Sequence, residues 1–229
     1  MKRGLHDPSS CYKSIIDKTD VLQMIMSNRK IGITVTKAFP LHKGHEMMIE
    51  VASIVLDVLH VVVSDDTDSE EIIPISRRVN WVRDAVDRLG LPNVTVHSHI
   101  DKSPTPVNID ENGTVLDKDF QYYWALHLTR LVPNANVFVS SDMYGQTMAE
   151  VMGIEWMPID PHREMIPISA TEIRTDIVNN FHYISESARP ELVKTVSILG
   201  AESTGKTTMA KRLAAEFEGV YVPEYGRTL

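Results

Sequence analysis

Residues 31–59 carry two hydrophobic periods back to back, and the change between them limits the folds that can follow. Ile31, Ile33 and Val35 alternate with Gly32, Thr34 and Thr36, the period of a strand, whereas Met48, Val51, Ala52, Val55 and Leu59 recur at helical spacing. Pro40 and Gly44 mark the turn between them. A strand that feeds straight into a helix is the opening of a βαβ unit, and such units build parallel sheets with right-handed crossovers. In open sheets of this kind ligands bind at the carboxyl ends of the strands. Lys37, His42 and His45 fall at that position. The two histidines are three apart and point roughly the same way on a helix that starts near Lys43, beside backbone N–H groups that favour an anion. Gly44 leaves room for a phosphate to approach the main chain.

The alternation continues. Residues 59–64 form an apolar run of buried-strand type; residues 78–89 place Val79, Val82, Val86 and Leu89 on one helical face, ended by Gly90. Further strands are expected over 94–97, 136–140 and 154–159 and a helix over 120–132, whereas 101–119 lacks any period and reads as a functional or disordered loop. The pattern predicts an α/β fold with a doubly wound parallel sheet. Near its end, Ser169 and Glu172 form a capping-box signature that opens another helix, with Arg174 about a turn and a half inside it. There its planar guanidinium can grip phosphate oxygens. Residues 195–199 then read as a buried strand leading into Gly200-Ala201-Glu202-Ser203-Thr204-Gly205-Lys206-Thr207, a full P-loop pattern. In such a loop the backbone amides cradle phosphates, Lys206 reaches the terminal ones and Thr207 ligates magnesium. A helix over 206–217 and the start of another strand follow.

The two histidines, the Ile168–Arg174 segment, Ser64-Asp65-Asp66-Thr67, Arg78 with Trp81, the run from Ser140 to Gly145 and Asp160-Pro161-His162-Arg163 occur in one order and spacing. Together they resemble the HxGH nucleotidyltransferase superfamily, and within it the NadR-type nicotinamide mononucleotide adenylyltransferases, which are usually fused to a ribosylnicotinamide kinase. The resemblance implies a Rossmann-like transferase followed by the start of a P-loop kinase domain: residues 1–30 as an extension, 31–190 as the adenylyltransferase, and 191–229 as an incomplete kinase. It implies ATP and nicotinamide mononucleotide as substrates, with magnesium screening the triphosphate. His42 and His45 would contact the ATP phosphates and the transition state, Lys37 would bridge the reacting phosphates, and Arg174 would hold the β/γ end. Phe39, Gly44, Ser140, Asp142, Ser169 and Thr171 would complete the ATP site. Asp65, Asp66, Arg78, Trp81 and Trp124 would face the other substrate. The plainer readings make Trp81 and Trp124 core residues, which is the default for both, Asp65 and Asp66 strand-end caps, and Ser169 a helix cap alone. Gly200, Ser203, Thr204, Gly205, Lys206 and Thr207 would bind phosphate separately, with Thr207 as the magnesium ligand; the first domain supplies no metal ligand of its own. Thr36 and Ala38 depart from the family, where Gly and an aromatic are common.

Composition narrows the classes. The net charge of -8 argues against a nucleic-acid partner, which would require a basic surface. One cysteine, Cys11, excludes an internal disulfide framework, no apolar run reaches the ~20 residues of a membrane span, and the first thirty residues lack a signal-peptide core, so a cytoplasmic protein without membrane contact is expected. No helix-turn-helix pattern precedes the first strand, and the repressor function of some relatives is not carried over. Kinase activity toward nicotinamide riboside is not expected from residues 191–229. A homo-oligomer is compatible with the sequence but not specified by it. Two rival readings stay open: an adenylyltransferase for another acceptor, such as phosphopantetheine, and a non-catalytic sensor of NAD or ATP.

Overall fold

The computed structural model describes residues 29–66, 73–101 and 118–223. The chain divides into two compact units, Met1–Pro190 and Glu191–Leu229. In the first, strands β1 (Ile31–Thr36), β2 (Val58–Asp66), β3 (Val94–Asp101), β4 (Val137–Ser140) and β5 (Glu155–Pro158) make one sheet in the order β3-β2-β1-β4-β5, and every neighbouring pair is parallel. Helices α1 (Lys43–Val55), α2 (Ile75–Leu89), α3 (Lys118–Leu131) and α4 (Tyr144–Met152) connect successive strands, and the short α5 (Ala170–Thr175) follows the last. A 3-10 turn (Phe181–Tyr183) follows, and α6 (Arg189–Leu192) begins at the last two residues of the unit.

The central strands are buried on both faces, which is why Leu59, Val61, Val62 and Val63 need no polar alternation. One core layer joins Ile31, Ile33, Val62 and Phe138 of the sheet to Trp124 and Leu128 of α3 and Met148 of α4. Helix α2 stops where Gly90 adopts φ 67, a left-handed cap that glycine enters without steric cost. The consequential feature is the reversal of strand order. After β3 the chain returns to the opposite side of β1 as β4, so the connections leaving β1 and β4 run in different directions. A crevice opens at their carboxyl ends.

Several boundaries differ from the sequence expectation. Helix α2 starts at Ile75 rather than Arg78, because Pro74 precedes a first turn whose Ser76 and Arg77 are exposed and carry no apolar stripe. Strand β3 runs to Asp101, paired with β2 as far as Asp66, although the polar His97, Ser98 and His99 conceal its later half. The non-periodic stretch lies, from 102 to 117, outside the described residues, as do residues 1–28, 67–72 and 224–229.

The second unit corrects one expectation outright. Residues 195–199 are not a buried strand: they form no strand, and Val196 and Leu199 are 75% and 90% exposed. Residues 220–222 likewise form no strand, with Val220 and Val222 exposed. A strand is completed by a neighbour that takes its backbone groups and covers a face, and among the described residues of this unit no other strand is present. Among its described residues the one long element is α7 (Lys206–Glu216), entered through Ser203 at φ 59 and Gly205 at φ 83.

Candidate active site

His42 is the N-cap of α1, with extended backbone, and its Nδ1 accepts the Gly44 N–H at 3.1 Å. His45 answers from the third helical position: its Nδ1 accepts the His42 N–H at 3.4 Å. This is a capping box built from two imidazoles instead of a hydroxyl and a carboxylate. The rings stack, with centroids 3.8 Å apart and 29° between planes. Because each Nδ1 accepts a backbone proton, each neutral ring carries its own proton on Nε2. Burial, and then the nearby Arg163 charge, lower the His42 pKa to about 4, with Glu172 opposing. Burial, His42 and Arg163 hold His45 well below its ordinary value. At neutral pH both histidines are therefore uncharged donors. The Nε2 of His45 lies 3.1 Å from Thr36 Oγ1, which also accepts the Ala38 N–H at 2.9 Å.

The second motif is tied to the same turn. Ser169 caps α5 by accepting the Glu172 N–H at 3.1 Å, while its own N–H and Oγ donate to Glu172 Oε2 at 2.7 and 2.6 Å. The Ser169 donors hold the Glu172 carboxyl below its usual range. Arg174 donates to the Phe39 carbonyl and, at 3.0 Å, to Thr171 Oγ1, and its guanidinium lies 5.4 Å from the Phe39 ring centroid. The structure thus joins Phe39, Thr171 and Arg174, residues 135 apart at the extremes. Arg163, to which the sequence reading gave no role, adds a cation: its Nη1 is 3.7 Å from Glu172 Oε2 and its charge acts on both histidines. Asp160 shapes that loop by accepting the N–H groups of Glu164, Met165 and Ile166.

A cavity of about 220 Å³ opens at the carboxyl ends of β1 and β4, lined by Thr36, Lys37, His45, Ser140, Ser141 and Asp142 among others. It occupies the crevice created by the strand reversal. Ser140 Oγ donates to the Asp142 carbonyl at 2.8 Å and accepts Trp156 Nε1–H at 3.0 Å. Gly145 makes this packing feasible, since a Cβ there would stand 1.8 Å from Ser140 Oγ.

The expected substrate-facing residues are placed differently. Arg78 has no exposed surface; it donates to the carbonyls of Lys37 (2.7 Å), Ser64 (3.3 Å) and Ile73 (3.1 Å) and pairs with Asp65 at 2.6 Å. Instead of reaching a substrate, it clamps the ends of β1 and β2 together. Trp81 is 1% exposed and Trp124 8%, the latter inside the core cluster with its ring 5.7 Å from His99, so both are core residues rather than open stacking platforms. Asp66 closes β2 beside Asp65. A strap that no motif announced pins the histidine turn from outside. Ile184 bridges His42, the Ser185 N–H donates to the Leu41 carbonyl at 3.0 Å, and Ser185 Oγ meets Glu46, which pairs with Arg88 at 2.6 Å.

In the second unit the P-loop lysine is held by its own loop, Lys206 Nζ donating to the Ala201 carbonyl at 2.6 Å and Thr204 Oγ1 to the same oxygen at 2.8 Å. Gly200 and Gly205 frame the loop, and Thr207 is the second residue of α7. Among the described residues no group of three or more His, Cys, Asp or Glu is arranged to hold a metal, and no helix is long and apolar enough to cross a membrane.

The citrate lyase ligase C-terminal domain family matches residues 31–103, and an AAA domain family matches residues 195–229. The trifunctional NAD biosynthesis/regulator protein NadR of Salmonella typhimurium is 27% identical over 90% of this chain and 51% of its own. Solved structures agree. NadR in complex with NR is 25% identical with a TM-score of 0.63, over 87% of this chain and 55% of that one. NadR in complex with NAD and AMP-PNP is 24% identical at the same TM-score, over 87% and 57%. The chain is homologous to NadR and shares its α/β fold, and it spans about half the length of the curated relatives it matches.

Proposed function

We propose that the first unit transfers the adenylyl group of ATP to nicotinamide mononucleotide, giving NAD and pyrophosphate. The observation that carries this reading is the convergence of two separate motifs on one turn, with Arg174 bonded to Phe39 beside the stacked pair His42 and His45. Homology to a protein of NAD biosynthesis supports the choice of acceptor.

In this reaction an oxygen of the mononucleotide phosphate forms a bond to the α-phosphorus of ATP, and the bond from that phosphorus to the bridging oxygen breaks as pyrophosphate leaves. The nucleophile is already an anion near neutral pH, so no general base is required. What the site has to supply is alignment of two anions that repel each other, and donors placed where charge accumulates on the departing group. Uncharged imidazoles with Nε2–H groups serve as such donors without adding a proton to the balance, while Lys37, Arg163 and Arg174 supply cationic charge. The internal clamp of Arg78 on the Lys37 carbonyl fixes the backbone that presents the lysine. Magnesium fits as a companion of the nucleotide rather than a resident of the protein, since the donors gathered here are N–H groups and cations. The residues of the second unit support nucleotide binding by a P-loop, as part of a nicotinamide riboside kinase in a longer protein.

The test is pyrophosphate release by the purified chain with ATP, magnesium and a panel of acceptors. Nicotinamide mononucleotide is expected to turn over better than phosphopantetheine. Turnover with phosphopantetheine and none with either mononucleotide would discard the assignment, and ATP binding without turnover would favour the sensor.

A further inference from the structure

We propose that Thr36 is a positioning residue for His45, its hydroxyl receiving the Nε2 proton of that imidazole and holding the ring in one tautomer and one orientation at the carboxyl end of β1. The inference deepens the proposed adenylyl transfer and rests on it for its kinetic consequence. A hydroxyl offers two lone pairs and one proton. One lone pair of Thr36 Oγ1 takes the Ala38 N–H at 2.9 Å, a local bond that steadies a residue held at φ 47, where a side chain is strained. The other faces His45 Nε2 at 3.1 Å. Across the ring, Nδ1 is committed to the His42 N–H, so a neutral His45 has its proton on Nε2 and only Thr36 among its bonded neighbours to give it to. Both ring nitrogens are thus fixed by groups on either side of the turn, and a phosphate oxygen entering the cavity that His45 lines would share the Nε2 proton with Thr36. With its lone pairs taken, Thr36 retains its own proton as a donor, on a side chain that lines the cavity together with Lys37 and His45.

This arrangement belongs to the particular residue at position 36. A glycine at position 36 would have no acceptor to offer, and His45 would then be oriented by the His42 amide alone. Valine is the discriminating replacement, because it keeps the shape and the strand preference of threonine but removes the oxygen.

The experiment compares wild type, Thr36→Val and Thr36→Ser by steady-state adenylyl transfer and by 15N-resolved NMR of the His45 ring in the full chain. Wild type is expected to show a protonated Nε2 and an unprotonated Nδ1. Thr36→Val should lose about tenfold in kcat with KM for ATP changed by less than about twofold, since one net hydrogen bond is at stake, and its His45 nitrogens should move toward averaged values. Thr36→Ser should recover both readouts. Unchanged kcat and an unchanged ring spectrum in Thr36→Val would overturn the inference, and so would equal impairment of Val and Ser, which marks a structural role. A wild-type chain that transfers no adenylyl group removes the proposed function instead, and the ring spectrum alone then decides: an Nδ1-protonated His45 sinks the Thr36 bond, and an Nε2-protonated one that changes in Thr36→Val sustains it.

Discussion

Replacing Arg78 with methionine tests how the site is held from beneath. The wild-type guanidinium has no exposed surface, and it serves three carbonyls, those of Lys37, Ser64 and Ile73, as well as the Asp65 carboxylate at 2.6 Å. Methionine fills a similar volume and serves none of them. Breaking a buried pair by removing one partner costs roughly 3–5 kcal/mol, because the remaining charge stays enclosed without compensation. Asp65 is 14% exposed, so water reaches it and offsets part of its loss, whereas the orphaned carbonyls add about 1 kcal/mol each. These partly cancel, leaving a destabilisation of roughly 3–5 kcal/mol, or a Tm lowered by roughly 6–20 °C at ~2–4 °C per kcal/mol for a chain of this size. Thermal unfolding followed by circular dichroism, with urea unfolding beside it, reads the effect. Arg78→Lys should fall between the two, since it keeps the charge and loses the fork. An Arg78→Met variant that melts within about 2 °C of wild type would refute the clamp and return Arg78 to the list of substrate contacts.

Three further outcomes follow from the same geometry. The His42 pKa of about 4 in the fold, against an ordinary 6.5, means that the unfolded chain binds more protons between those values; stability present above pH 6.5 should fall by roughly 2–3 kcal/mol toward pH 4.5, with His45, His60 and His97 acting in the same direction, and urea midpoints that stay flat or rise over this range would contradict the burial argument. Gly145→Ala puts a Cβ 1.8 Å from Ser140 Oγ and 2.8 Å from Trp156 Nε1, so α4 must retreat at a cost of roughly 1–3 kcal/mol or more, visible as a lowered Tm; an unaltered melting curve would show that the helix has slack there. His45→Ala, with the circular dichroism unchanged, should lower kcat for adenylyl transfer by roughly 10²–10³-fold, and near-normal turnover would take His45 out of the reaction.

What the sequence revealed is what neighbouring residues decide among themselves. The strand-to-helix change after Thr36, the Ser169–Glu172 capping box and the Gly90 cap are local devices, and each is found where its pattern put it, except that the helix ends at Val55 and Leu59, counted on its face, belongs to β2. Residues 195–199 also have the right local pattern for a strand, yet form none, because strand formation depends on a partner that no window of sequence contains. The same reason hid the clamp of Arg78 on Lys37, 41 residues away, and the strap that brings Ser185 to Glu46 across 139. Trp81 and Trp124 illustrate the converse. An aromatic on an amphipathic helix reads as core by default and as a platform only by resemblance, and the layer of Ile31, Ile33 and Phe138 around Trp124 places it in the core. Thr36 looked like a departure from a motif and proved to be a partner of His45.

Whether this fold joins an adenylyl group to a pyridine mononucleotide is decided by following the phosphorus. The chain is incubated with nicotinamide mononucleotide and magnesium, in parallel with ATP labelled at the α- or the γ-phosphate, and the products are separated by chromatography. Adenylyl transfer puts the α label in NAD and the γ label in pyrophosphate, in equal amounts. An α label that remains in ATP, or emerges in free AMP or ADP while no dinucleotide forms, would contradict it.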